Sequence, residues 1–194
     1  IVAEVQARRL HSPFDSFIKV TSADGKVIAL NDDHYDAASG LNTDHADSYL
    51  MVKLPADGKY YIHLTDTRRH SGKEYAYRLR ISQPQPDFEL RLAPSRICIR
   101  GKSSAGVTVY AIRRDGFDGP IKLSFKDLPQ GLESGGATIG PKQEVVGLGL
   151  KSNLTEMEKP VNVTVVGTAK VGDREIVHEA VPAEDKMQAF LWRH

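Results

Sequence analysis

Phe17-Ile18-Lys19-Val20-Thr21-Ser22-Ala23-Asp24-Gly25-Lys26-Val27-Ile28-Ala29-Leu30 decides the fold class. Apolar residues alternate or cluster on either side of Asp24-Gly25, with no 3.6-residue period. Asp-Gly between two such runs is a strong hairpin signal, because glycine reaches positive φ without a side-chain clash. The stretch therefore predicts strand, turn, strand. Outward from it the period stays near two. Val2, Glu4 and Gln6 alternate with Ala3, Val5 and Ala7, and Ser48 to Leu54 reads as a strand. Pro55-Ala56-Asp57-Gly58 turns the chain into Tyr60-Tyr61-Ile62-His63-Leu64, and Ser71-Gly72-Lys73 turns it into Tyr75 to Ile81. Strands at such spacing point to a sandwich or barrel.

The second half continues in the same style. Phe88 to Leu92, Val107 to Ile112, Ile121 to Phe125, Val145 to Leu150, Val161 to Val166 and Ile176 to Val181 each read as strands. Asp115-Gly116 and Asp118-Gly119-Pro120 punctuate them. Gln83-Pro84-Gln85-Pro86 favours extended chain over a central strand, since proline lacks an N–H. The expectation is an all-β chain of two antiparallel β-sandwich domains. Residues 1–82 form the first, 83–87 the linker, 88–182 an immunoglobulin-like second, and 183–194 a tail. Two pieces have some helical character: Asn153 to Lys159, and the tail, where Met187, Phe190 and Leu191 share i, i+3, i+4 spacing behind Pro182.

Composition bounds the function. The 194 residues are 40% hydrophobic and 26% charged, with a formal net charge of +1, which is ordinary globular usage. Residues 1–86 carry eleven charges of each sign, so the basic footprint of a nucleic-acid binder is missing. No apolar run approaches the ~18 residues of a membrane-spanning helix, so no membrane insertion is expected. The single cysteine, Cys98, excludes an internal disulfide and a cysteine-rich zinc site. Flanked by Ile97 and Ile99, it reads as a buried thiol on a strand. Ile1 begins inside an alternating pattern, and the apolar run Met187 to Trp192 lies close to His194. These ends read as cuts in a longer protein, with the first strand lacking a neighbour and the tail seeking a surface or a second copy as a homodimer.

Residues 1–82 resemble the bacterial pre-peptidase C-terminal domain. The likeness is carried by Ser12-Pro13-Phe14-Asp15-Ser16, Ala23-Asp24-Gly25-Lys26, Asn31-Asp32-Asp33, Asp47-Ser48, Pro55 to Tyr61 and Tyr75-Ala76-Tyr77-Arg78-Leu79. The second half is similar to immunoglobulin-like modules that follow such domains, through Arg113 to Gly119 and Leu128-Pro129-Gln130-Gly131-Leu132. The resemblance implies a noncatalytic accessory module pair at an extracellular, cell-surface or periplasmic address. Its partners would be other domains of the parent protein, or a protein or polysaccharide ligand.

Between Lys26 and Lys53 there is no Lys or Arg, while Asp32, Asp33, Asp36, Asp44 and Asp47 crowd the interval. Such carboxylates repel unless a cation sits among them. Calcium, which takes six to eight oxygens at about 2.3–2.6 Å, is the usual one outside cells. Asn31, Asp32 and Asp33 follow a strand and are candidate ligands, and the resemblance adds Asp15 and Asp47. A solvated loop, with Asn and Asp supporting turns, explains the same residues. His34 and His45 flank this loop, but no His-Glu-x-x-His or Gly-x-Ser-x-Gly is present. A hydrolase is therefore disfavoured. Tyr35, Tyr49, Tyr60, Tyr61, Tyr75 and Tyr77 allow a carbohydrate-binding sandwich as the alternative, although strand alternation sends some of them inward. Arg68-Arg69-His70 reads as a basic hairpin tip.

Overall fold

The computed structural model describes residues 1–35, 44–45, 47–157 and 159–183. The chain is all-β, and its sheets are antiparallel apart from one short edge strand. It divides into two compact units, one running to Gln85 and the other beginning at Pro86.

In the first unit the strands are β1 (Val2–Gln6), β2 (Ser16–Ser22), β3 (Val27–Asn31), β4 (His34–Tyr35), β5 (Asp44–His45), β6 (Tyr49–Met51), β7 (Tyr60–Asp66) and β8 (Arg78–Ser82). One sheet has the order β6-β1-β8 and another β3-β2-β7, with β4 and β5 as a separate two-residue pair. Alternation explains the packing. Ala3 and Val5 of β1 share a cluster with Ile18 and Val20 of β2 and Leu50 of β6, closed by Ile62, Leu64 and Leu79. The hairpin at Asp24-Gly25 forms as its sequence dictates. Gly25 takes φ 86° and donates its N–H to the Ser22 carbonyl at 3.0 Å.

The first strand differs from expectation. β1 is the centre of its sheet, with Ala3 opposite Leu50 on one side and Ile81 on the other. Its neighbours come from residues 49–51 and 78–82, too far along the chain for local periodicity to reveal. Both faces of β1 are covered: Val2, Ala3 and Val5 are fully buried, and so, nearly, is Glu4.

The second unit has β9 (Asp87–Ala93), β10 (Ser104–Arg114), β11 (Ile121–Lys126), β12 (Leu132–Glu133), β13 (Ala137–Ile139), β14 (Val145–Ser152), β15 (Thr164–Val171), β16 (Arg174–Glu179) and β17 (Val181–Pro182). The sheets are β12-β14-β10-β9-β17 and β13-β11-β15-β16, and only the β17–β9 pair is parallel. They share one core: Phe88, Leu90, Val107, Val109 and Leu148 from the first, with Ile121, Leu123, Ile139, Val165 and Ala169 from the second. Gly167 lies between Val165 and Ala169 on β15, and a Cβ there would stand 2.5 Å from Leu90 Cδ1 and 3.0 Å from Ile121 Cγ2. Two facing side chains therefore fill the space of the missing one. Gly167→Ala should overpack this core and cost about 1–3 kcal/mol, read as a lower urea midpoint.

Three local expectations are corrected. Cys98 is exposed and lies in a strand-free stretch between β9 and β10, where Ile97 rather than the thiol packs on the core. Residues 153–157 are not helical: Asn153 is held instead by its N–H to the Gly131 carbonyl at 2.8 Å. Strand β8 starts at Arg78, because Tyr75 is spent in a turn, its N–H reaching the Gly72 carbonyl at 3.2 Å. The expected tail helix and its docking surface lie outside the described residues.

Candidate functional site

The most concentrated charge in the interior grows from the end of β1. The chain leaves Gln6, turns through a short 3₁₀ segment, Arg8–Leu10, and exits at His11 with φ 64°. Because β6 runs antiparallel beside β1, the residues just before β6 pass this turn, and Val5 N–H donates to the Ser48 carbonyl at 2.9 Å. Asp47 is thereby placed against the exposed amides of the turn. Its Oδ1 accepts the N–H groups of Ala7 at 2.9 Å and Arg8 at 2.7 Å. Its Oδ2 accepts Arg9 N–H at 3.2 Å and Arg9 Nε at 2.8 Å.

Arg9 carries the connection onward. Its Nη1 donates to Glu4 Oε1 at 3.0 Å and its Nη2 to the Val5 carbonyl at 2.6 Å. Arg80, opposite Glu4 on β8, donates Nε to Glu4 Oε2 at 2.9 Å. The result is a chain Asp47–Arg9–Glu4–Arg80 with two carboxylates and two guanidiniums. Asp47 is fully buried and Glu4 almost so. A buried carboxylate is tolerated only when its lone pairs are met in this way.

Burial works to raise the pKa of Asp47, but the Arg9 side chain and the amides of Arg8, Arg9 and Ala7 outweigh it and hold the carboxyl below its ordinary value. Glu4 behaves alike: burial opposes ionisation, and Arg9 and Arg80 overcome it. Asp66 is also lowered, by the amides of Asp15 and His70, with burial opposing and Arg68 N–H assisting. A carboxyl depressed in the folded state contributes stability above its unfolded pKa, about 3.9 for Asp and 4.3 for Glu, and loses it as pH falls through the folded pKa. The urea midpoint should therefore hold between neutral pH and about pH 5 and decline steadily below about pH 4. A midpoint that rises on acidification would contradict these assignments.

The fold brings some of the cation candidates together and separates others. Asn31 and Asp32 lie beside residues 48 and 49: Asn31 Oδ1 accepts Tyr49 N–H at 2.9 Å, and Ser48 Oγ stands 2.9 Å from the Asp32 carbonyl. Asn31 Nδ2 donates to the Asp33 carbonyl at 2.9 Å, and Asp32 Oδ1 accepts Asp33 N–H at 3.0 Å. These are the bonds of a turn. Asp47 follows in sequence but aims its carboxylate at residues 7–9. Asp15 is next to Ser16, whose Oγ accepts Ser48 N–H at 2.8 Å, but its own carboxylate is turned to Thr67, with Oδ2 accepting Thr67 Oγ1 at 2.6 Å. Among the described residues no three His, Cys, Asp or Glu side chains gather as a metal would require. The Asp47 carboxylate is taken up by Arg9 and the amides of residues 7–9, and would have to release them to bind a cation. The side chains of Asp36 and Asp44 lie outside the described residues.

The remaining candidates are engaged locally or exposed. His63 Nε2 is 3.1 Å from Thr21 Oγ1, and His178 Nε2 is 2.8 Å from Asp87 Oδ1, its ring edge-on to Phe88. His34 packs against the Tyr49 ring at 4.7 Å. Tyr60 donates its hydroxyl to the Ala56 carbonyl at 2.8 Å, and Tyr75 packs on the core. Among the described residues Tyr61 and Tyr77 are the exposed tyrosines. The charged chain through Glu4, Arg9 and Arg80 escapes sequence reading, for only the alternation of Glu4 with apolar residues hints at it. No described helix is long and apolar enough to cross a membrane.

No family model matches the chain, and no curated protein or solved structure matches it. The likeness of residues 1–82 to pre-peptidase domains stands on their motifs alone.

Proposed function

We propose that this chain is a noncatalytic pair of β-modules belonging to an exported bacterial protein, where it spaces, stabilises or positions the other domains. One observation carries the reading most: two buried carboxylates, Asp47 and Asp66, groups suited to acid–base work, are spent on holding backbone. Asp47 meets three amides and a guanidinium, and Asp66 meets the amides of Asp15, Arg68 and His70. A general base needs a free lone pair facing a substrate, and these carboxylates offer none. The address outside the cytoplasm rests on the resemblance.

The test uses the parent protein with and without residues 1–194. Deletion should leave turnover per molecule unchanged while lowering heat resistance, yield or surface retention. The isolated chain should show no turnover on casein, on nitrophenyl esters or on nitrophenyl glycosides. Saturable turnover by the isolated chain would overturn the reading.

A further inference from the structure

One end of the first unit carries a feature that a spacer does not require. Two loops meet there, residues 7–15 and residues 66–77. Ser12 Oγ donates to the Glu74 carbonyl at 3.2 Å, and Thr67 N–H donates to the Asp15 carbonyl at 2.8 Å. Asp66 closes the junction by accepting Asp15 N–H at 2.9 Å. The two loops are therefore joined into one rim.

The rim carries an excess of positive charge: Arg8, Arg9, Arg68, Arg69 and Lys73 against Asp15, the buried Asp66 and the exposed Glu74. Arg8 and His11 project from the first loop, and Arg69, His70 and Lys73 from the second, all exposed. Among the described residues Arg8, His11, Arg69 and Lys73 form no salt bridge, while His70 faces the Asp66 carboxylate. Arg68 stands 4.0 Å from Asp15, the nearest carboxylate it has. Backbone conformation marks the same place. His11 and Arg69 both take left-handed φ, 64° and 60°, where glycine would be the relaxed choice.

Tyr77 supplies a flat surface beside this charge. Its ring stacks on Phe14 with centroids 5.1 Å apart and planes at 24°. Phe14 is buried and Tyr77 is 52% exposed, so one face of the tyrosine is backed and the other is open. An open aromatic face next to guanidinium groups suits a ligand that combines flat C–H faces with carboxylates. An acidic peptide supplies the carboxylates without the flat rings. Single-stranded nucleic acid supplies flat bases but phosphates in place of carboxylates, and a poly(dT) gel separates it.

We propose that this rim binds an acidic polysaccharide of the uronate type. Arg69, Lys73 and Arg8 would meet the carboxylates, and Tyr77 would stack on a sugar ring. The inference goes beyond the accessory reading, which stands or falls separately: that reading is about turnover, this one about a ligand.

The experiment is affinity electrophoresis of the whole chain in native gels containing polygalacturonate. Neutral dextran, polyglutamate and poly(dT) serve as parallel gels. The expected result is retardation in polygalacturonate at low salt, fading as salt screens the contacts, and none in dextran. Arg69→Gly relieves the left-handed strain while removing the charge, so it should fold at least as well as wild type. Arg69→Gly and Tyr77→Leu should each weaken binding, by about tenfold for a lost charge-assisted or stacking contact. Lys151→Ala, in the second unit, should change nothing. No retardation in polygalacturonate would overturn the proposal. Equal retardation by polyglutamate, indifferent to Tyr77→Leu, would also overturn it in favour of an acidic protein partner. Stronger retardation by poly(dT) would do so in favour of nucleic acid.

Discussion

Asp47→Ala should destabilise the first unit by about 3–5 kcal/mol, the cost of removing one partner from a buried ion pair. The carboxylate has no solvent contact, and its loss leaves the amides of Ala7, Arg8 and Arg9 facing a cavity. The Arg9 guanidinium loses one of its two carboxylates and keeps Glu4. Asp47→Asn should cost less, because its carbonyl still accepts at Oδ1, but its amide nitrogen would then confront donors. Urea unfolding followed by a probe in the first unit reads the effect. A loss under about 1 kcal/mol would mean that the turn is held by something else.

The second unit should respond most to Phe88→Ala, with a loss of about 3–5 kcal/mol. Phe88 is fully buried at the start of β9. Its ring stacks on Phe117 at 5.6 Å and receives His178 edge-on at 5.0 Å. Truncation removes both aromatic contacts and leaves a void in a core where Leu90 already fills the place of a side chain on Gly167. Phe88→Leu refills much of that volume and should recover part of the loss. The urea midpoints of the two variants, compared with wild type, give the test.

Local features of the fold were legible because local chemistry dictates them. Asp24-Gly25 is a turn whatever surrounds it, and the alternation of Leu90, Val107, Val109 and Leu123 sends those side chains inward. What the sequence hides is partnership. Nothing in Val2–Gln6 says that its neighbours are residues 49–51 and 78–82. Near Cys98 the available signal is Pro94, which lacks an N–H and ends the ladder of β9 at Ala93, freeing the thiol from the core.

Charge pairing is hidden for the same reason. Five aspartates without a cation between Lys26 and Lys53 look self-repelling along the sequence, yet Asp47 finds its counter-charge in Arg9, 38 residues earlier. Asn31 and Asp32 lie beside residues 48 and 49, a pairing across 16 to 18 residues that local reading does not reach, and the bonds to Asp33 are those of a turn. The rim at Arg68-Arg69-His70 was visible as a basic tip. Its junction with residues 7–15 was not, because Ser12 and Glu74 are 62 residues apart.

The central claim is that Asp47 serves the protein's own turn and not a bound cation. Calorimetric melting of wild type and Asp47→Asn, each with chelator and then with excess calcium, tests it directly. Calcium bound only by the folded state at a hundred times its dissociation constant would add about 2.7 kcal/mol. The account predicts that calcium leaves the wild-type melting temperature where chelator leaves it, while Asp47→Asn melts lower in both. A calcium-dependent rise in wild type that disappears in Asp47→Asn would contradict it.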